Sequence, residues 1–221
     1  GTAANALALA SLCQGFHSIV CQQQAHFQVD ECGAPELFTH GAKMLTAPGV
    51  EGKLRPEDVL RLASNPEDNF HSHLPRALSL TQNTECGTVY SPSELSALTA
   101  AAKQKGLYTH MDGARFANAL VTLNCHPADI TWRAGVDVLC LGGSKNGLGL
   151  GEAVVFFNKS LAKDFDRRCK QAGQMASKMR VLSSQWLGLL NNDVWRRNAS
   201  HANDMAQQLA TGIKAIGKIN I

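Results

Sequence analysis

Apolar runs and amphipathic stretches alternate along the chain as far as residue 157. Residues 138–141 are all apolar, and a short unbroken apolar run is typical of a parallel strand that is buried on both faces. The pattern predicts strands at residues 17–22, 43–47, 76–81, 136–141 and 153–157, a further strand through Met111, and helices at residues 3–14, 30–38, 56–63, 91–105 and 116–123. From Ser160 onward the pattern predicts mainly helix.

Local signals support two of these helices. Ser91 followed by Glu94 has the spacing of a capping box, in which each side chain accepts a hydrogen bond from the other residue's backbone N–H. Pro56 stands in the first turn of another helix, where a missing N–H costs nothing. The alternation of strands and helices predicts a doubly wound α/β sheet.

Length, composition and charge narrow the class of protein. The chain has 221 residues, of which 44% are hydrophobic and 18% charged, and such a chain can bury a sizeable core. No apolar stretch reaches the ~18 residues that a membrane span needs. The formal net charge of +3 is small and scattered along the chain. We therefore expect neither a nucleic acid nor a membrane as partner.

The cysteines indicate a reducing compartment. They are odd in number and form no Cys-x-x-Cys pair: Cys13, Cys21, Cys32, Cys86, Cys125, Cys140 and Cys169. We expect reduced cysteines packed in the core, no disulfide or metal framework, and a cytoplasmic location.

Two polar residues stand where predicted strands end. Lys145 follows an apolar run and the glycines Gly142 and Gly143, and Asp112 ends another strand before Gly113. Open α/β sheets bind ligands outside the carboxyl ends of their strands. An amine and a carboxylate there suit pyridoxal 5'-phosphate (PLP), which needs a lysine imine on its aldehyde carbon and an acid that keeps its ring nitrogen protonated. A solvated loop lysine and a helix-capping aspartate are the alternative interpretations.

Four motifs resemble, in the same order, those of the low-specificity L-threonine aldolases and their beta-eliminating lyase relatives, which are PLP-dependent enzymes of fold type I. They are residues 1–5, 24–27, 110–119, and 142–147 with 151–157. The resemblance covers most of the chain. It implies a three-layer α/β large domain of the aspartate aminotransferase type with a mostly parallel sheet, PLP as cofactor and an amino acid as substrate.

The resemblance also implies a role for each motif. Gly1 and Thr2 would bind the cofactor phosphate, which bare N–H groups and the positive end of a helix dipole would also favour. His26 would stack on the pyridine ring, and whether it also relays a proton is left open. Arg115 would grip the substrate carboxylate, while Asp112 and Lys145 would bind the cofactor. A plain N-cap at Thr2 and a surface ion pair at Arg115 remain the alternatives.

Several further residues are weaker candidates. Ser144 would touch the phosphate, and Gln82 would neighbour the ring, with Asn83 and Thr84 on the same side. His71 or His73 would approach the substrate β-hydroxyl. Met175 and Met179 are expected in the core or in a subunit contact, and Lys178 or Arg180 would reach a phosphate across that contact.

The expected activity is cleavage of a β-hydroxy-α-amino acid, such as L-threonine or L-allo-threonine, to glycine and an aldehyde. Beta-elimination from an aromatic or sulfur amino acid is the alternative, because the pocket decides which bond breaks. The glycines Gly147, Gly149 and Gly151 suggest a nucleotide-binding protein as another alternative, but their spacing does not match the dinucleotide fingerprint. A non-catalytic protein on the same scaffold is a further alternative.

Comparison with the family pattern also predicts the organisation of the chain. Residues 1–190 would form the PLP-binding large domain without its N-terminal segment, and residues 191–221 would begin a truncated small domain. An N-terminal residue and a C-terminal arginine that the family uses around the substrate carboxylate have no counterpart. The resemblance implies a homodimer or homotetramer.

Overall fold

A six-stranded sheet runs through the centre of the computed structural model, which describes residues 1–64 and 69–217. The strands are β1 (His17–Gln22), β2 (Lys43–Ala47), β3 (Leu74–Thr81), β4 (Tyr108–Gly113), β5 (Val138–Gly142) and β6 (Glu152–Phe156). Their order is β2-β1-β3-β4-β5-β6, and only the last pair is antiparallel. The carboxyl ends of β1 to β5 therefore lie along one edge of the sheet.

Helices connect the strands and form the C-terminal part. They are α1 (Thr2–Leu12), α2 (His26–Val29), α3 (Ala34–Phe38), α4 (Pro56–Leu62), α5 (Pro92–Gln104), α6 (Phe116–Leu123), α7 (Phe165–Gln171), α8 (Met179–Leu190) and α9 (Val194–Ile216). Short 3-10 turns occur at Pro127–Ile130, Trp132–Ala134, Ser144–Asn146, Lys159–Ala162 and Asn191–Asp193.

Each face of the sheet has its own hydrophobic core. On one face, Leu78 and Met111 pack with buried residues of α4, α5 and α6. On the other face, Ala77 and Cys140 pack with the buried side of α1. Successive strand residues point to opposite faces, so a strand that serves both cores is apolar at successive positions, as β5 is. The predicted three-layer α/β class with a mostly parallel sheet is confirmed.

The predicted elements match the observed ones closely, with one clear error. The bounds of β1, β2 and α6 are as predicted, and the capping box is present: Ser91 Oγ accepts from the Glu94 N–H at 3.2 Å, and Glu94 Oε2 accepts from the Ser91 N–H at 2.7 Å. The helix predicted at residues 30–38 is only partly present, as α3 (Ala34–Phe38), and its predicted first part is wrong. Cys32 and Gly33 have φ of 52° and 70°, and this left-handed backbone separates α2 from α3.

The cysteines only partly follow the prediction. All seven are free thiols, and Cys13, Cys21 and Cys140 are buried. Burial raises the pKa of the Cys13 and Cys21 thiols to about 12. Cys32 and Cys86 are exposed, so the expectation of core packing is wrong for these two. Each lies in an irregular connection at the surface, which the cysteine count alone does not indicate.

The C-terminal helix α9 packs against α6 and against the turn that follows β5. Asn118 Nδ2 donates to Asn203 Oδ1 at 2.9 Å, which joins α6 to α9. Asn146 Nδ2 donates to the Trp195 carbonyl at 3.0 Å, and Asn198 Nδ2 donates in return to the Asn146 carbonyl at 2.8 Å. The start of α9 is therefore fixed to the residue next to Lys145.

Other parts of this region face outward. Met175 and Met179 are 43% and 42% exposed, so core packing is wrong for both, and a subunit contact stays a prediction. Among residues 1–64 and 69–217, no helix combines the length and the apolar character required to cross a membrane.

Candidate active site

The two predicted cofactor residues lie at the carboxyl ends of neighbouring parallel strands. Asp112 is the penultimate residue of β4, where it pairs with Cys140 of β5, and Gly113 pairs with Leu141. Lys145 lies in the 3-10 turn directly after β5 and is exposed. The sheet therefore brings the carboxylate and the amine to the same edge, as the sequence predicted.

Asp112 is buried and both of its oxygens accept hydrogen bonds. Its side chain is 3% exposed; Oδ1 accepts from the Ala114 N–H and Oδ2 accepts from Asn5 Nδ2, each at 2.9 Å. The N-cap of α6 is Arg115, so the alternative that Asp112 caps this helix is wrong. Each carboxylate oxygen can accept a second hydrogen bond, which leaves capacity for a ligand.

Gly142 lets the turn after Asp112 touch the segment before Lys145. A Cβ atom at position 142 would lie 2.5 Å from the Ala114 carbonyl oxygen and 2.7 Å from its Cα. Real Cβ atoms do not come so close to backbone, so only glycine allows this approach. The glycine before the lysine thus joins the two strand ends that carry the candidate chemistry.

Glu152 brings the start of α1 to the same place. Its Oε2 accepts from the Gly143 N–H at 2.9 Å and its Oε1 accepts from the Ser144 N–H at 3.4 Å. The Gly1 nitrogen lies 3.8 Å from the same Oε1. The start of α1 therefore lies close to the turn that carries Lys145. Sequence reasoning missed Glu152; its signal was an acidic residue at the head of an apolar strand.

The first turn of α1 presents backbone N–H groups. Gly1 is the N-cap, so the alternative that Thr2 is a plain N-cap is wrong. In the described part of the chain no side chain caps this helix, and its first turn contains no acidic residue. The first N–H groups of a helix have no partner within the helix, and together with the dipole they favour an anion. This end of α1 could bind a phosphate.

His26 is connected to Asp112 through two buried residues. His26 Nδ1 and Asn5 Nδ2 each lie 3.0 Å from Glu31 Oε1, and Asn5 Nδ2 also donates to Asp112. Asn5 is 2% exposed and Glu31 is 4% exposed, while the His26 side chain is 37% exposed. Sequence reasoning missed both buried residues, because a polar position inside a helix or a loop carries no local signal of its partners.

Arg115 forms an ion pair with Glu85, a residue that the sequence analysis did not single out. Its Nη1 lies 3.8 Å from Glu85 Oε2, and Glu85 belongs to the loop that follows the carboxyl end of β3. The ion-pair alternative is therefore present in the structure. A separation of 3.8 Å is longer than a hydrogen bond, so the guanidinium keeps donors for a ligand.

His110 belongs to the third motif and lies on β4, two residues before Asp112. It is fully buried; Nδ1 lies 2.8 Å from Ser79 Oγ and Nε2 lies 3.3 Å from Cys140 Sγ. Burial lowers the pKa of His110 to about 4, and the Asp112 carboxylate acts in the opposite direction. Burial also raises the pKa of Cys140 well above its usual range. His110 is therefore neutral at pH 7 and structural in this arrangement.

One of the weaker predictions, a substrate-side histidine at His71 or His73, is wrong within this chain, while the position of Gln82 beside the ring stays a prediction: its backbone N–H donates to the Asp112 carbonyl at 2.9 Å. Gln82 is fully buried and uses both ends of its amide on the Tyr90 backbone, with Nε2 donating to the carbonyl at 2.8 Å and Oε1 accepting from the N–H at 3.0 Å. His71 and His73 precede β3, which runs for eight residues, roughly 25 Å, away from them toward the candidate site. They therefore lie at the opposite edge of the sheet.

The remaining predicted residues stay open. Lys178 and Arg180 are exposed at the start of α8, and their reach across a subunit contact stays a prediction. Ser144 is exposed beside Lys145. The loop before β3 was predicted to begin at Asn65, and residues 65–68 lie outside the described residues.

A mostly parallel sheet with a carboxylate, a lysine and a helix amino terminus at one edge defines an α/β protein of fold type I. The chain belongs to the beta-eliminating lyase family, whose sequence model matches residues 1–220.

Known relatives agree with this family. The chain is 54% identical, over its whole length, to a low specificity L-threonine aldolase from Pseudomonas sp. (strain NCIMB 10558) and covers 64% of that protein. It is 56% identical, over 95% of its length, to a low specificity L-threonine aldolase from Pseudomonas aeruginosa and covers 60% of it. A solved structure of a Leishmania major threonine aldolase superposes with a TM-score of 0.91 at 31% identity, covering 98% of this chain and 63% of that one. The chain thus spans somewhat less than two thirds of these relatives.

Proposed function

We propose that the protein is a PLP-dependent aldehyde-lyase that cleaves β-hydroxy-α-amino acids of the L-threonine or L-allo-threonine type to glycine and an aldehyde. The observation that carries this proposal is the position of Asp112 and Lys145 at the carboxyl ends of adjacent parallel strands. The threonine aldolase names of the relatives support the substrate class.

The residues at this edge fit PLP. A helix amino terminus suits a phosphate dianion, a buried carboxylate with spare acceptor capacity suits a protonated ring nitrogen, and an exposed lysine amine suits an aldehyde carbon. When bound, PLP supplies an electron sink for the bond-breaking step.

Each residue has a defined task in this proposal. Gly1 and Thr2 bind the phosphate through the start of α1, and Asp112 holds the proton on the ring nitrogen. His26 covers one face of the ring, and its partly exposed imidazole is available for that contact. The Lys145 amine is the group that would hold the cofactor through its aldehyde carbon.

Arg115 orients the substrate in this scheme. Its planar guanidinium opens α6 in the turn after Asp112, and it can exchange the Glu85 carboxylate for the α-carboxylate of an amino acid. A carboxylate that is fixed at this point sets which bond of the substrate is aligned for cleavage. Glu85 then lies next to the bound substrate.

Lys145→Ala tests the proposal directly. Titration of the protein with PLP should produce a visible absorption band, and Lys145→Ala should lose that band because no amine is left to bind the aldehyde. Cleavage of L-threonine should fall by a factor on the order of 10³ or more. Lys105→Ala is the matched control, since Lys105 is an exposed lysine at the end of α5, near the opposite edge of the sheet.

The products separate the two candidate reactions. Glycine with an aldehyde supports aldol cleavage, whereas ammonia with a keto acid supports the alternative, beta-elimination from an aromatic or sulfur amino acid, which the family name favours. A band that survives Lys145→Ala, or a protein that binds no PLP, would contradict the proposal.

We further propose a cytoplasmic homodimer or homotetramer in which residues 1–190 form the large domain and residues 191–221 begin a small one. Seven free cysteines are consistent with that compartment. Residues 218–221 lie outside the described residues.

A further inference from the structure

We infer that Asn5 and Glu31 are positioning residues, which hold His26 and Asp112 in a fixed relation to each other before the cofactor binds. The inference rests on the proposed function, because it assigns these two buried side chains to the site of that reaction. Three separate parts of the chain contribute: α1, the segment between α2 and α3, and β4.

Asn5 is the centre of the network. Its single amide nitrogen donates to Glu31 Oε1 at 3.0 Å and to Asp112 Oδ2 at 2.9 Å. The amide group of asparagine has two hydrogens, and both are used here. Aspartate at this position would have no donor and serine would have one, so only an amide of this length satisfies both carboxylates.

Glu31 sets the orientation of the imidazole. Its Oε1 accepts from Asn5 and lies 3.0 Å from His26 Nδ1, and we assign the hydrogen of that contact to Nδ1 because a carboxylate accepts. The ring plane and the tautomer of His26 are thereby fixed, and Nε2 is the nitrogen left for other partners. Because the plane of the imidazole is already fixed, its side chain loses less conformational entropy when the cofactor binds.

This network lowers the stability of the fold, because it buries polar atoms without partners. Within the described residues, Asn5 Oδ1 and Glu31 Oε2 are buried without a hydrogen-bond partner. Two carboxylates also share one neutral donor. Unpaired buried polar atoms lower stability, and local conflicts of this kind are expected at functional sites. Packing alone therefore does not account for these two residues.

The inference predicts distinct effects of distinct substitutions. Glu31→Leu removes the acceptor and frees the His26 ring, whereas Glu31→Gln keeps an oxygen that can accept from both donors. Asn5→Leu leaves both carboxylates without their shared donor. We expect Glu31→Leu and Asn5→Leu each to weaken PLP binding by about tenfold, and Glu31→Gln to stay within about twofold of the wild type.

A double variant tests whether the two residues act as one unit. Asn5→Leu combined with Glu31→Leu should weaken PLP binding by about tenfold, as each single change does, rather than by about a hundredfold. Thr99→Val is the matched control: Thr99 is 7% exposed and donates one buried hydrogen bond to the Ala134 carbonyl, far from the site. It should lower stability and leave PLP binding unchanged.

The measurements are PLP titration followed by the visible absorption band, and nitrogen NMR of the His26 imidazole in the protein without PLP. We expect the Nδ1–H tautomer in the wild type and in Glu31→Gln, and its loss in Glu31→Leu. The NMR readout reports on the side chain itself, so a change that is merely structural, such as Thr99→Val, should not move it.

The outcomes separate this inference from the proposed function. A wild type that binds no PLP overturns the proposed function, and the inference falls with it. A wild type that binds PLP, with Asn5→Leu and Glu31→Leu binding within twofold of it, overturns the inference alone. If the leucine variants do not fold, an Nε2–H tautomer in the wild type, or tenfold weaker PLP binding in Glu31→Gln, overturns it instead.

Discussion

Asp112 is held in place by hydrogen bonds to both oxygens of its carboxylate. Asn5 holds one of its oxygens and the Ala114 N–H holds the other, and neither contact involves a neighbouring strand. Below it, His110 bonds to Ser79 and Cys140 across the two adjacent strands. The carboxylate is thus held by two hydrogen bonds, on a strand that His110 ties to both of its neighbours.

His110 makes the stability of the protein depend on pH. Its pKa in the folded chain, lowered by burial to about 4, lies below the ordinary value of 6.5, so between these values the unfolded chain binds a proton that the folded chain does not. Stability is therefore lost as the pH falls through this window. From pH 7 to pH 4 the loss attributable to His110 is about 3 kcal/mol.

His110→Gln removes that dependence. Urea unfolding at pH 7 and at pH 4 should show a smaller difference between the two free energies of unfolding in the variant than in the wild type. His201→Gln is the control, because His201 is exposed on α9. An unchanged difference in His110→Gln would refute the assignment.

At the scale of elements, the sequence predicted most strands and helices because each face of the sheet has its own apolar core. Residues 138–141 of β5 are apolar throughout for this reason, because Leu139 enters one core and Val138 and Cys140 enter the other. The first part of the helix at residues 30–38 was mispredicted because apolar spacing does not register a left-handed residue; Gly33 was the available signal. The contact between the ends of β4 and β5 depends on Gly142, whose role appears only when Ala114 is seen beside it.

Gly142→Ala tests this contact between elements. The added Cβ must displace the Ala114 backbone, so the free energy of unfolding should fall by about 1–3 kcal/mol and PLP binding should weaken, because Lys145 shifts relative to Asp112. Gly188→Ala is the matched control, since a Cβ there meets nothing within 4 Å and α8 gains helix propensity. Equal stability of the two variants would show that the close approach does not exist.

At the scale of the whole molecule, the sequence located the site but not its connections. Asp112, Lys145, His26 and the start of α1 were all predicted, because motifs and strand ends mark them locally. Glu31 and Glu85 were not, because their contacts join segments that are distant along the chain. Glu152 was not, because its contacts form only when β6 folds back antiparallel to β5. His71 and His73 were misplaced because the family resemblance was followed, although their position before β3 already puts them at the amino end of that strand.

The proposed homo-oligomer makes a prediction about the C-terminal helices. Exposed apolar side chains are concentrated there: Met175, Met179, Val181, Leu187, Leu190, Met205, Leu209 and Ile216. Burial of such a surface between subunits would favour assembly. Leu187→Lys, at 66% exposure, should lower the molecular mass measured by light scattering toward that of one chain.

Phe70→Lys is the control for that substitution, since Phe70 is 86% exposed in the loop before β3, away from these helices. It should leave the mass unchanged. A wild type that is monomeric at all concentrations would contradict the proposed assembly.

Two hydrogen bonds connect Asn146 to the beginning of α9. A helix of 23 residues is about 35 Å long, and this one is hydrogen-bonded near its start to the peptide beside Lys145. Asn203 bonds the same helix to Asn118 of α6. A substitution that displaces the start of α9 should therefore also displace the backbone that carries Lys145.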